Sequence, residues 1–251
     1  MGNLKRKIAV VTGGSRDIGR AISVKLAKEG AKVIVNYNSS EAGANQTVEE
    51  IKVLGGEAVA IQADVSKLED IKKLKAQTIA AFGDKIDILV NNAGGLFARK
   101  TLQEFDESFY DLLMGVNFKS TVFVMQIFEP YMGTGSSIIN LSSQAARDGG
   151  GGGSALYASS KGAVTTFTRA MSKELGPKGI RVNSVCPGLI GTKFHDDFTK
   201  DEVRSKVAAG TPLRREGNAT EVADLVAYLA SEESSFISGN NIDINGGLAF
   251  S

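Results

Sequence analysis

The sequence predicts an α/β fold: a Rossmann-type, doubly wound parallel sheet of about seven strands with helices on both faces. Three observations predict it. Short apolar runs rich in β-branched residues alternate with helical stretches of about 12 to 15 residues, the rhythm of a parallel sheet covered on both sides. The first run, Ile8-Ala-Val-Val11, ends in a glycine-rich turn that opens a helix. Only four prolines occur among 251 residues and no shift in composition divides the chain. Residues 1–251 therefore read as one domain, with a segment around 188–213 inserted over one end of the sheet.

The elements follow in order. Ile8–Val11 is a buried parallel strand, and Thr12-Gly-Gly-Ser15 is the turn after it. Ile18, Ala21, Ile22 and Leu26 fall on one helical stripe that Gly30 stops. Lys32–Val35 is the second strand, Glu41–Leu54 a more polar helix closed by Gly55-Gly56, and Ala58–Gln62 the third strand. Ser66 is the expected N-cap of a helix reaching Phe82, and Ile86–Val90 is the fourth strand. A helical pair covers roughly Thr101 to Met132, before strands at Ser137–Leu141 and Arg181–Val185 that flank a helix from about Leu156 to Leu175. Phe194–Ala209 and Thr220–Ser231 read as helices, and Asn241–Ile244 as the last strand. Five consecutive glycines, Gly149 to Gly153, interrupt the pattern and predict a mobile or closely packed loop.

Composition excludes several classes of function. The 29 basic and 28 acidic residues nearly cancel, which gives no general attraction to nucleic acid or an anionic membrane. A single cysteine, Cys186, forbids an intrachain disulfide, and one histidine with one cysteine supplies no metal cluster. Residues 1–7 are basic, but the apolar run after them is too short for a signal peptide, and no run approaches a membrane span. A cytoplasmic protein with a reduced thiol is the expectation.

Two stretches carry chemistry. In Tyr157-Ala-Ser-Ser-Lys161 the phenol and the ammonium lie four residues apart, on one helical face. A nearby cation favours phenolate and lowers the tyrosine's pKa toward neutrality, where it becomes a usable acid or base. Ser142 and Ser143, upstream, could hydrogen-bond a carbonyl oxygen as charge develops on it. The second stretch is Thr12-Gly-Gly-Ser-Arg-Asp-Ile-Gly19, placed between first strand and first helix, where backbone N–H groups and the helix dipole receive a pyrophosphate. The residues after the second strand choose the nucleotide. An NAD site usually places an acid there, whereas this chain has Asn36-Tyr37-Asn38-Ser39-Ser40. Arg16 and the Asn/Ser cluster could accept a 2′-phosphate, so NADPH is favoured over NADH.

Together these motifs resemble the short-chain dehydrogenase/reductase family over essentially the whole length. The glycine loop resembles the family's Thr-Gly-x-x-x-Gly-x-Gly, Asn91-Asn-Ala-Gly94 its strand-four signature, and Tyr157-x-x-x-Lys161 its catalytic pair. The branch it is most similar to is that of 3-oxoacyl-carrier-protein reductases and related carbonyl and sugar-acid reductases. The resemblance implies that Tyr157 donates the proton while Lys161 lowers its pKa and holds the nicotinamide ribose. It implies that Ser143 polarises the carbonyl and that Asn117 anchors a proton-relaying water. Gly13, Ser15, Arg16, Asp17, Ile18 and Gly19 would line the phosphates, and Asn36 to Ser39 the 2′-end of the adenosine. Asp64 and Val65 would hold the adenine. Asn91, Ala93 and Gly94 would follow the ribose and nicotinamide, and Pro187, Gly188, Ile190 and Thr192 would bind the carboxamide. A homotetramer is also implied.

Two departures from the family pattern stand out. Asp17 occupies the place of the family's middle glycine. It tolerates a left-handed backbone and is expected to cap the helix, turn away from the phosphates or bond Arg20. The interval from Ser143 to Tyr157 is one residue longer than the commonest spacing, which leaves Ser142 as an alternative to Ser143.

The expected partner is a small carbonyl compound reduced by hydride. Arg99, Arg147, Lys193 and His195 lie in loops expected near the strand ends and could bind a carboxylate, as in a keto acid or keto-sugar acid. The stretch 149–161 is similar to that of reductases acting on keto acids derived from unsaturated uronates. Reduction of 3-oxoacyl carrier protein is the alternative, and a non-catalytic nucleotide-binding regulator is the alternative of another class.

Overall fold

The computed structural model describes residues 3–193 and 198–250. Its centre is one sheet of seven strands: β1 (Ile8–Val11), β2 (Lys32–Tyr37), β3 (Ala58–Gln62), β4 (Ile88–Asn91), β5 (Ser137–Leu141), β6 (Arg181–Pro187) and β7 (Asn241–Ile244). They lie in the order β3-β2-β1-β4-β5-β6-β7, with each neighbouring pair parallel. Every residue of β1, β4 and β5 is buried, which is why these runs are mostly apolar rather than alternating, with Asn91, Ser137 and Asn140 as buried polar exceptions. Alternate residues still feed opposite layers. Val33 and Val35 of β2 join the layer containing Ile22 and Val226, while Ile34 joins the layer containing Leu74 and Phe128.

Helices α1 (Asp17–Lys28), α2 (Glu41–Val53) and α9 (Ala219–Ala230) cover the first face. Helices α3 (Leu68–Phe82), α5 (Ser120–Phe128) and α7 (Ala155–Leu175) cover the second. Phe128 is wholly buried there, and its truncation to alanine would cost about 3–5 kcal/mol. Between them come α4 (Glu107–Met114), the single-turn α6 (Ala145–Asp148) and α8 (Asp201–Gly210). The strand order reverses between β1 and β4, so the crevice at their carboxyl ends is the natural ligand site of such a sheet.

Several boundaries differ from the sequence expectation. β2 runs on to Tyr37 because β3 pairs with it as far as Gln62. The expected helical pair between 101 and 132 includes α4 and α5, joined through a π-turn at Gly115–Lys119. Helix α3 starts after Lys67 rather than Ser66, because Ser66 is drawn into a turn: its N–H and hydroxyl donate to Asp64 Oδ1 at 3.0 and 2.7 Å. The helix expected from Phe194 is described only as α8, from Asp201, and His195 lies outside the described residues.

Candidate active site

The floor of the crevice is a hydrogen-bonded junction between β1 and β4. The Thr12 hydroxyl accepts from the N–H groups of Asn92 and Ala93, each at 3.0 Å, and the Asn92 amide donates to the carbonyls of Thr12 and Gly13. Gly13 has φ +64°, a left-handed turn that favours glycine. A Cβ on Gly19 would run into the Gly13 carbonyl, so helix and strand pack at a distance only glycine permits. No side chain hydrogen-bonds the N-cap of α1, and its first-turn N–H groups face the crevice end of the sheet. This cradle fits a dinucleotide pyrophosphate. Thr12 and Asn92 were absent from the sequence-based site, although the latter's place within Asn91-Asn-Ala-Gly94 was the signal for it.

Asp17 takes the left-handed backbone expected of it, φ +50°, but neither caps α1 nor bonds Arg20. Its Oδ1 accepts from the Lys193 N–H at 3.2 Å, and its Oδ2 lies 3.8 Å from Arg16 Nε. Arg20 instead donates to Thr47, Ser15, Gly43 and Gln46 across to α2. The Ile18 side chain packs on the core, which leaves only its main chain for a phosphate.

The end of β2 requires the largest correction. Asn36 is buried: its Oδ1 accepts from the Gly13 N–H at 3.3 Å and its amide donates to the Ile61 and Ala63 carbonyls at 3.3 and 3.0 Å. It braces the glycine loop against β3 instead of facing a ribose. Tyr37 is a core ring as well, and burial, then Glu41, pushes its phenol above the ordinary value. Asn38 and Ser39 are exposed, as is Arg16, so these three are the side chains open to a 2′-phosphate. Among the adenine-side residues, Val65 is core and the Asp64 carboxylate is held by Ser66 and Lys67. Burial works against that charge, but the Ser66 and Lys67 hydrogen bonds outweigh it and hold the carboxyl below its usual range. Asn91 is likewise internal, donating to Asn140 at 2.8 Å, which donates to Thr168 at 2.9 Å.

Deeper in the crevice, Ser143, Tyr157 and Lys161 converge. Ser143 follows β5 and its hydroxyl hydrogen-bonds Tyr157, in the first turn of α7. Ser142 is the other serine only in sequence: buried, it donates to the Lys161 carbonyl at 2.9 Å and so braces α7. The Lys161 ammonium lies 5.9 Å from the Tyr157 ring centroid and donates to the Leu141 carbonyl at 2.7 Å. Burial drives its pKa down to about 8. Burial also pushes the Tyr157 phenol above its ordinary value, and the Ser143 bond only partly offsets that. In the cofactor-free protein, burial therefore dominates the tyrosine's pKa.

Gly94 is the pivot of this cluster: a Cβ there would lie 2.7 Å from Asn117 Oδ1 and 3.0 Å from Lys161 Nζ. Asn117 sits in the π-turn, a helix irregularity common at functional sites. Its Oδ1 accepts from the Gly95 N–H at 2.8 Å and its amide donates to the Gly95 carbonyl at 2.9 Å. Each end of the side chain thus makes one bond to Gly95, which fixes its orientation and leaves one amide N–H and one oxygen lone pair for a further partner.

The outer wall is built by loops. Gly188 is pressed against Asn245, Ile190 is buried in the core, and the Thr192 hydroxyl donates to the Ile190 carbonyl, so the Pro187–Thr192 stretch offers mainly backbone. The glycine stretch is largely exposed and packs closely at only some positions: Gly149, Gly150 and Gly153 have positive φ, and a Cβ on Gly153 would meet Arg99 Cβ at 2.9 Å, whereas one on Gly149 or Gly152 would meet nothing. Arg99 donates to the Gly152 carbonyl at 2.8 Å and to the Phe198 carbonyl at 2.9 Å, and its Nη2 has no partner among the described residues. Arg147, in contrast, is committed to the Asp243 carboxylate and the Asn241 carbonyl and is withdrawn as a substrate cation. The described residues contain no cluster of metal-binding side chains and no helix long and apolar enough to cross a membrane.

Comparison with known proteins places this geometry. The family model described as enoyl-(acyl carrier protein) reductase matches residues 13–249. An uncharacterised oxidoreductase of Methylorubrum extorquens is 39% identical over 250 residues, 99% of this chain and 100% of the relative. The 3-oxoacyl-[acyl-carrier-protein] reductase of Staphylococcus aureus is 38% identical, over 96% of this chain and 98% of its own. Among solved structures, a short chain dehydrogenase from Burkholderia cenocepacia in complex with NADP superposes with a TM-score of 0.90 at 34% identity, covering 98% of this chain and 99% of that one. The NADH-dependent reductase A1-R′ responsible for alginate metabolism superposes at 0.91 with 32% identity and complete coverage of both chains.

Proposed function

The chain belongs to the short-chain dehydrogenase/reductase family of oxidoreductases, and on that premise we propose that it is an NADPH-dependent carbonyl reductase acting on a small keto acid or keto-sugar acid. The meeting of Ser143, Tyr157 and Lys161 beside a glycine-lined crevice carries the reading. A bound nicotinamide supplies hydride to the carbonyl carbon. Ser143 then donates a hydrogen bond to the carbonyl oxygen, and Tyr157, protonated at neutral pH, gives that oxygen its proton. Lys161 supplies positive charge next to the phenol and donates to the cofactor's ribose. The complete set argues against a regulator that has lost its chemistry.

Three observations support the finer choices. No acid follows β2, Arg16 is exposed at the crevice rim, and the Burkholderia neighbour holds NADP; these favour NADPH over NADH. The Arg99 guanidinium stands where the glycine loop meets the segment after β6, with N–H groups to spare for a carboxylate. A neighbour of the same fold is an NADH-dependent reductase responsible for alginate metabolism, which favours a sugar-derived substrate though not the NADPH choice. Assembly as a homotetramer in the cytoplasm completes the reading: Phe236 and Phe250, flanking the edge strand β7, expose rings that a partner copy would cover. The S. aureus relative favours a second reading, reduction of a 3-oxoacyl thioester.

One experiment separates these. NADPH and NADH oxidation are followed with 2-keto-3-deoxy sugar acids, simple aldehydes and acetoacetyl thioesters, for the natural chain and for Tyr157→Phe. Turnover of keto acids with NADPH, lost by a factor of at least ~10³ in the variant, is the expected result. Turnover of the thioester alone refutes the keto-acid reading, a clear NADH preference refutes the cofactor choice, and unchanged turnover by Tyr157→Phe refutes the proton donor.

A further inference from the structure

Asp17 does something that the glycine expected at its position could not. It is the first residue of α1, with a left-handed backbone that a side chain adopts at a cost, yet the side chain is retained and used. Its carboxylate reaches across 176 residues of sequence to accept the Lys193 N–H at 3.2 Å. Lys193 belongs to the stretch that follows β6, which ends at Pro187. Farther along the chain, the Phe198 carbonyl accepts from Arg99 at 2.9 Å. Asp17 thus connects the glycine-rich loop before α1 with the stretch that follows β6.

We propose that Asp17 is a positioning residue that ties the segment after β6 to the glycine-rich loop and couples substrate binding to cofactor binding. The tie is a charge-assisted hydrogen bond, and the carboxylate that makes it stands beside the helix N-terminus where a pyrophosphate anion would bind. The same group therefore acts in two opposing ways. Its oxygen holds the segment in place for substrate, and its charge repels the dinucleotide phosphates and weakens their binding. Because Arg16 lies 3.8 Å from the same carboxylate, Asp17 also competes with a 2′-phosphate for that guanidinium. Linkage makes the coupling reciprocal: a ligand that holds the segment alters cofactor affinity by the factor with which cofactor alters the ligand's.

The proposal rests on dinucleotide binding at the N-terminus of α1, and the test separates the two. Asp17→Gly suits the left-handed backbone, so its folding is secure, and it deletes both the charge and the tie. Asp17→Asn deletes the charge but keeps an amide oxygen to accept the Lys193 N–H. Trypsin cleavage after Lys193, Lys200 and Arg204 is timed in the cofactor-free protein, beside NADPH affinity and KM for the carbonyl substrate. Asp17→Gly is expected to be cut roughly fivefold faster and to show a KM raised by about the same factor, while Asp17→Asn stays close to the natural chain in both. Both variants are expected to bind NADPH more tightly, in proportion to the charge removed. Equal cleavage of the natural chain and Asp17→Gly overturns the tie, as does equal cleavage of the two variants. Failure of every form to bind a dinucleotide refutes the assigned activity, while the cofactor-free cleavage comparison still decides the tie.

Discussion

Replacing Asn36 by alanine separates bracing from cofactor recognition, because the two roles predict opposite results. Its Oδ1 satisfies the Gly13 N–H and its amide satisfies the Ala63 and Ile61 carbonyls, all in a position almost closed to water. Alanine leaves these groups without the partner they have now. Each such loss costs about 1–3 kcal/mol, with bonds near 3.3 Å toward the lower end. Over the three groups the sum is about 3–5 kcal/mol, and for a chain of this size it lowers the melting temperature by roughly 6–20 °C. Affinity for both dinucleotides should fall, since the Gly13 turn is no longer held, but by the same factor for each. Urea unfolding gives the stability and fluorescence titration gives the two affinities. An Asn36→Ala protein of natural stability whose NADPH-to-NADH preference has dropped tenfold would refute the bracing role and restore Asn36 to the 2′-phosphate site.

Three further outcomes follow from the geometry. Gly94→Ala introduces a methyl 2.7 Å from Asn117 Oδ1 and 3.0 Å from Lys161 Nζ; turnover should fall at least ~10-fold at a stability cost of about 1–3 kcal/mol, and natural turnover would show the pivot to be slack. Arg147→Met strands the mostly buried Asp243 carboxylate, so unfolding free energy should drop by about 2–4 kcal/mol while KM for a keto acid stays within about twofold; a large KM change at natural stability would return Arg147 to the substrate site. The lysine makes a pH test. Lys161 releases its proton at about 8 when folded and near 10.5 when unfolded, so between those values the unfolded chain holds more protons and this group's contribution to stability rises with pH. Relative to Lys161→Met, the natural chain should therefore gain up to about 3 kcal/mol in urea unfolding between pH 7.5 and 10.5, and a flat difference would show that the buried ammonium carries no penalty.

The fold was legible because its signals are local and repeated. β3, β5 and β7 begin and end where their apolar runs do, and the glycine turn after β1 announced the crevice. The convergence of Ser143, Tyr157 and Lys161 was legible for a similar reason, since helical spacing places two of them and a strand end the third. What escaped was the destination of polar side chains. Asn36 and Arg147 have the composition of ligand contacts and the positions of ligand contacts, yet each is consumed by a partner far away in the chain: Asn36 by Gly13, Ile61 and Ala63, Arg147 by Asn241 and Asp243. No periodicity encodes such a pairing, and only the assembled sheet brings the partners together. The bonds that orient Asn117, one from each end of its side chain to Gly95, are likewise written in no periodicity.

The raised pKa of Tyr157 changes what the pair with Lys161 is for. A tyrosine drawn toward neutrality would stand ready as a base, the role that alcohol oxidation requires. Burial does the reverse here: it keeps the phenol protonated and pushes the ammonium down to about 8. Low dielectric penalises both charges, so the resting state holds its proton on the tyrosine beside a lysine that gives it up easily. A reduction needs that state, because the carbonyl oxygen must find a proton donor as charge builds on it. The oxygen's own developing charge, facing the Ser143 hydroxyl, then adds its pull to that of the neighbouring ammonium, and the proton moves when there is something to receive it. Raising the pH through the range in which Lys161 discharges removes the cation next to the phenol but not the proton on it. Reduction should accordingly persist to higher pH than a pathway that begins from phenolate.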